Sequence, residues 1–278
     1  MDNFINLAAL ADKYEVSTFV NEDPSQFLRW YPLDQKADVE TASFIAAMLS
    51  FGNRKLFIPK IKSILQMADS KSGSISRWCM DSAPGFEEGE KKFYRFYSYS
   101  DLRKLFKELG EILKKSGSLG NYLKEEYINT NKALYTLISQ AFPESKIVPK
   151  GKNSANKRIH MFLRWMVRQN SPVDLGIWNW YPASSLIIPL DIHVLTQSIK
   201  AGLLAPKAKA SLKTAQDLTN KMKEYFPDDP ARADFALFGL GVDPALGLGV
   251  DLALGLGVDP TLGLGGDPTP GQGLGVDH

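Results

Sequence analysis

Cysteine is almost missing: Cys79 is the only one in 278 residues. A single thiol makes no internal disulfide and cannot build a four-thiolate zinc or iron–sulfur site. Histidine is scarce as well, at three residues, too few for a metal centre without carboxylate help. No run approaches the roughly 18 uncharged apolar residues that a bilayer-spanning helix needs. Met1-Asp2-Asn3-Phe4 lacks the basic-then-apolar order of a secretory signal. These absences point to a cytoplasmic protein with no membrane partner. What remains is ordinary for a globular chain, with 44% hydrophobic and 23% charged residues.

The net charge of +2 is unevenly spread. Five of the acids (Asp243, Asp251, Asp259, Asp267, Asp277) fall in the last 36 residues, which hold no Lys or Arg. That leaves 33 basic against 26 acidic residues before position 243, a net of +7. A mildly basic body is compatible with a polyanionic partner without being diagnostic of one.

Strand-like alternation is also lacking, and residues 1–242 read as helices. Asp38 to Ser50 has an acidic start and a dense apolar face at Phe44, Ala47, Met48 and Phe51. Phe51-Gly-Asn-Arg54 breaks the pattern and Lys55 to Met67 resumes it. Residues 68–90, rich in Ser, Gly and Pro, read as a loop. Ser100 to Leu113 opens with a capping signal, and a further helix fits Asn131 to Ala141. Ser145 to Asn156 is a polar connector carrying Lys150 and Lys152. Lys157 to Arg168 is amphipathic: Ile159, Phe162, Leu163, Met166 and Val167 form one face, while Arg164 and Arg168 project within about 20° of Lys157 on another. A loop with Asp174, Trp178, Trp180 and Tyr181 follows, then a helix opened by Ile187-Ile-Pro-Leu-Asp-Ile-His-Val194. Ser211 to Tyr225 and Ala231 to Leu240 complete the set. The fold expected is all-α.

From Asp243 the chain repeats every eight residues (Asp-Pro-Ala-Leu-Gly-Leu-Gly-Val and variants), echoing Phe238-Gly-Leu-Gly-Val-Asp-Pro244. Its ten glycines carry a large ordering cost with no aromatic residue to offset it. The expectation for 243–278 is a disordered, non-functional tail.

Two residues stand out for chemistry. Lys157 sits at a helix start, where the helix dipole and partial burial both disfavour an ammonium, and a neutral amine is a nucleophile. A solvated lysine on a basic face explains the same spacing. Asp191 follows a proline between apolar residues, where an N-cap role suffices. A carboxylate fixed there would also stay ionised and stabilise a developing cation. His160 reads as structural. Trp178 and Trp180 suit either stacking on a base or a core. Arg54 and Lys55, at a helix break, suit phosphate or plain solvent.

Four blocks, Phe44 to Arg54, Lys157 to Arg168, Ile188 to Val194 and Asp234 to Gly241, together resemble an uncharacterised bacterial domain-of-unknown-function family. That family in turn resembles the helix-hairpin-helix DNA glycosylases, nearest to the archaeal 8-oxoguanine enzymes. The resemblance implies two helical subdomains with a cleft between them, and a monomer that needs no metal or organic cofactor. Its partner would be double-stranded DNA with a damaged base. The aspartate block of those enzymes fits Pro189-Leu-Asp191-Ile-His193, and their lysine nucleophile falls on Lys157. Phosphate contacts are then expected from Arg54, Lys55, Lys150, Lys152, Arg158, Arg164, Arg168 and His193, with Trp178 and Trp180 lining the base pocket. The Leu-Pro-Gly-Val-Gly hairpin of that superfamily is absent, as is the four-cysteine cluster of its endonuclease branch. An inactive DNA-binding protein and a helical interaction module are the alternatives.

Overall fold

The computed structural model describes residues 6–151 and 153–242, so the octad tail and Lys152 lie outside the described residues. Regular structure is almost wholly helical, which makes the chain all-α. No helix among the described residues is long and apolar enough to cross a membrane.

The largest apolar core is organised around α2 (Lys36–Leu49), where every residue from Asp38 to Leu49 is buried. A helix buried on every side, its acids Asp38 and Glu40 included, is covered by its neighbours, and the other helices wrap it. These are α3 (Arg54–Ser72), α4 (Ile75–Met80), α5 (Tyr99–Ser116), α6 (Leu119–Thr130), α7 (Leu134–Ala141) and α8 (Lys157–Val167). Phe44 of α2 stacks on Phe142 at 4.8 Å and meets Phe162 of α8 edge-on at 5.1 Å. A second core joins the two ends of the described chain. Leu7, Leu10 and Ala11 of α1 (Leu7–Tyr14) pack with residues of α9 (Ile192–Lys200), α10 (Leu212–Met222) and α11 (Ala233–Val242). The approach of α1 to α11 is close enough that a Cβ at Gly239 would stand 2.5 Å from the Tyr14 ring. Glycine is required there by space.

Local signals explain most boundaries, and some differ from the sequence reading. The α5 cap is a capping box between Ser98 and Asp101, two residues earlier than Ser100. Residues 68–90 are not all loop. α3 runs on to Ser72, where Gly73 ends it in the left-handed region, and Ser74 caps α4, whose Trp78 and Cys79 are buried. A short antiparallel pair, β1 (Lys92–Tyr94) and β2 (Tyr97–Ser98), precedes α5. It is too short for alternation to be read. Asn131, expected to begin a helix, instead ends α6 with φ 51°.

Candidate active site

Lys157 is the first residue of α8 and Asp191 caps α9, so the two helix starts face each other across the seam between the cores. The turn into α8 is set by Asn156, held at φ 48° with its amide nitrogen donating to the Gly151 carbonyl at 3.1 Å. Asp191 is anchored by the buried Ile188 and Leu190 on its N-terminal side, and the Ile188 N–H donates to Thr219 Oγ1 at 3.0 Å. Its two carboxylate oxygens have separate duties. Oδ1 accepts the Val194 N–H at 2.8 Å, closing the α9 cap, and Oδ2 lies 2.8 Å from Lys157 Nζ. The side chains keep 38% and 27% of their surface exposed, so the pair is reachable from solvent.

The electrostatics reverse one expectation. Burial pulls the Lys157 ammonium down, but the Asp191 carboxylate, by charge and hydrogen bond, overcomes it, with Asp234 and Asp23 adding to the effect. Lys157 is therefore held above its ordinary value and is protonated at rest. Burial pushes Asp191 up, and Lys157 together with the Val194 N–H and the His193 charge outweighs that, leaving it below the usual carboxylate range. The dipole argument alone missed the partner that the fold supplies.

Asp234, the second residue of α11, is a further acid whose charge acts on Lys157. Burial raises it to about 6 against the pull of Arg164. Asp23, whose charge also acts on Lys157, lies 3.6 Å from Arg54, the first residue of α3, whose side chain is half exposed. Lys55 beside it is exposed. Two cations in the first turn of α3 stand where the helix dipole disfavours them, so helix stability does not account for them.

Arg164 and Arg168 are corrected. They do share a stripe with Lys157, but the stripe turns inward and both are buried. Arg164 pairs with Asp174 at 3.3 Å and with Asp234; Arg168 pairs with Asp174 at 2.5 Å, Asp229 at 2.9 Å and Glu15 at 2.9 Å. Phe235 lies beneath both guanidinium groups, at 4.5 and 5.4 Å. Arg232 extends the chain of charges to Glu15 at 2.8 Å and Asp12 at 2.5 Å. These guanidiniums tie α8 to α1 and α11 and leave nothing for phosphate. The signal in the sequence was two arginines aligned among the apolar residues of the second half of α8, which need buried carboxylates from elsewhere.

Trp178 is corrected as well. It is fully buried, and its indole N–H donates to Glu40 Oε1 at 2.8 Å. Its backbone N–H bonds the Met166 carbonyl, nine residues along α8 from Lys157 and so about 14 Å away by helical rise. Trp180, half-buried, stacks on Trp178 at 5.5 Å and shares that remote position. Neither lines a pocket at Lys157. Arg158 is half-buried and largely spent: its guanidinium donates to the Met48 carbonyl and to the Tyr97 hydroxyl (3.2 Å) and lies 5.0 Å from the Phe51 ring. Lys150 is exposed, though its ammonium donates to the Pro143 carbonyl at 2.6 Å. His193 is exposed beside Asp191. His160 is buried, its imidazole lowered to about 3 by burial, a neutral core residue against Tyr135.

No curated protein and no solved structure matches the chain. A family described as "Protein of unknown function (DUF2400)" matches residues 23–243, a span that takes in Lys157, Asp191 and Asp234, and the chain belongs to that family.

Proposed function

We propose that the chain binds DNA and removes a damaged base through Lys157, as an N-glycosylase with an associated lyase step. One observation carries the reading: a lysine amine and a carboxylate 2.8 Å apart, solvent-reachable, at the seam between two helical cores. The exposed Arg54, Lys55 and His193 flank that seam and suit the phosphates of a strand whose nucleotide has rotated out of the stack. The resemblance to helix-hairpin-helix glycosylases at Pro189 to His193 supports the same assignment of roles.

The chemistry begins with a proton. Lys157 is an ammonium at rest, so it must first lose that proton to water before its lone pair attacks C1′ of the sugar. The glycosidic electrons leave with the base, which takes up a proton. The amine gives up a second proton, the C1′–O4′ bond breaks with O4′ taking up a proton, and a Schiff base forms; loss of a C2′ proton then expels the 3′-phosphate and cleaves the strand. Asp191, kept ionised by its neighbours, stabilises the positive charge that develops on the sugar.

The raised ammonium also favours a second reading, in which the pair is a structural clasp in a DNA-binding protein without activity. Borohydride trapping separates the two. Wild-type protein incubated with an 8-oxoguanine or abasic duplex should form a covalent adduct that Lys157→Gln does not. Partial exposure limits the pair's own stabilisation to about 1 kcal/mol, so the variant should stay folded. Tight, salt-sensitive DNA binding with no adduct from either duplex would leave the clasp as the answer.

A further inference from the structure

At the other end of α8 lies a polar cavity of about 390 Å³, within the range of small-ligand sites. Its floor is Glu40, buried in α2. Oε2 accepts the Gly120 N–H at 2.7 Å and Oε1 the Trp178 indole N–H at 2.8 Å, so both carboxylate oxygens are engaged. A Cβ at Gly120 would stand 2.5 Å from both the carboxylate and the indole nitrogen, so the floor is built around that missing side chain. One wall is Trp180, half-buried, with Trp178 stacked beneath it at an interplanar angle of 30°. The rim carries Lys36 and Lys124, both exposed and neither in an ion pair among the described residues. Asn121 stands beside Lys124, its amide nitrogen donating to the Ser116 carbonyl at 3.1 Å and its carbonyl oxygen left as an acceptor.

The start of α2 adds a second anion-seeking element. Gln35 gives that helix no side-chain cap, and Lys36 and Ala37, its first two residues, line the cavity. The Asp38 N–H already donates to the Gln35 carbonyl at 3.0 Å, which leaves the Lys36 and Ala37 N–H groups; these, with a lysine at the position where the dipole disfavours it, gain from a bound anion. An aromatic wall and an anionic seat within one small cavity describe a ligand that is planar at one end and phosphorylated at the other.

We propose that this cavity binds a nucleoside monophosphate, its base stacked on Trp180 and its phosphate held by Lys36, Lys124 and the first turn of α2. The site is distinct from the Lys157 pair and stands independently of the activity proposed there. The same chemistry is presented by a free nucleotide and by the 5′-phosphorylated end of a strand.

Calorimetric titration of the folded chain with AMP tests the site. Expected is saturable one-to-one binding, weakened about tenfold or more by Trp180→Leu and by Lys36→Glu with Lys124→Glu, and unaltered by Lys157→Gln. The lysines are exposed, so the double variant keeps the fold if Trp180→Leu does not. A 5′-phosphorylated oligonucleotide that displaces AMP where its unphosphorylated counterpart does not identifies a strand end as the source, and failure to displace identifies free nucleotide. No saturable AMP binding at millimolar concentration, or binding that survives the double lysine variant, overturns the proposal. So does inorganic phosphate binding as tightly as AMP, because the stacking half would then be idle.

Discussion

Arg168→Met isolates the claim that the arginine stripe of α8 holds the fold and does not touch DNA. Methionine keeps an unbranched apolar stem while removing the cation and its contact with the Phe235 ring. The Arg168 side chain is 2% exposed and faces Asp174 (0%), Glu15 (5%) and Asp229 (28%), so three carboxylates lose a counter-charge in a site almost closed to water. Breaking a buried pair by removing one partner costs about 3–5 kcal/mol, because the stranded charge keeps its desolvation penalty. For a body of this size that corresponds to a fall in Tm of about 6–20 °C. Thermal and urea unfolding followed by circular dichroism would read it. The pH dependence has a definite sign. Without Arg168 the raised Asp229 climbs further and Glu15 loses a main cause of its depression, so both carboxylates ionise at higher pH in the folded variant than in the folded wild type. Ionisation then favours the variant's fold less than the wild type's, and the deficit should be largest at neutral pH and shrink as pH falls towards 5. A loss below about 1 kcal/mol at pH 7, or weakened DNA binding with stability intact, would mean that the guanidinium faces outward after all.

Asp191→Asn should keep the α9 cap, since asparagine accepts the same Val194 N–H, but it removes the chief cause that raises Lys157. Trapping on an abasic duplex by wild type should therefore increase with pH into the alkaline range, and in the variant the rise should move to lower pH; an unmoved profile would argue against the coupling. Arg54→Gln with Lys55→Gln should reduce the slope of log affinity against log salt by about 2, one phosphate each, measured by fluorescence anisotropy. An unchanged slope would place the strand elsewhere. Gly120→Ala pushes a methyl into Glu40 and Trp178 and should cost about 1–3 kcal/mol in urea unfolding with altered tryptophan emission.

The sequence made the helices legible for physical reasons that can be named, whereas the pairing of Lys157 with Asp191 came from the resemblance at Pro189 to His193, spacing alone being met by a solvated lysine and an N-cap. α8 announced itself through Ile159, Phe162, Leu163, Met166 and Val167, and Asp191 through a proline-bounded position at a helix start. Position along a helix, however, does not say which way a polar stripe faces. Arg164 and Arg168 look identical on a helical wheel whether they meet phosphate or Asp174. Only the arrival of Asp174, Asp229, Asp234 and Glu15 from other elements decides it. The same holds for the Lys157 ammonium, whose state depends on carboxylates 34 and more residues away. Trp178 was ambiguous because an indole suits a core and a base pocket equally; its hydrogen bond to Glu40, 138 positions earlier, has no local signature. The hairpin at 92–98 was invisible because two or three residues per strand establish no period.

The most direct test of the central claim is to digest the borohydride-reduced protein–DNA adduct and locate the modified residue by mass spectrometry. The proposed activity predicts a single sugar adduct on residue 157, absent from Lys157→Gln and formed in higher yield as pH rises. An adduct on another lysine, or one that survives the Gln variant at full yield, would remove Lys157 from the chemistry and leave the ion pair a fastening between two helix ends.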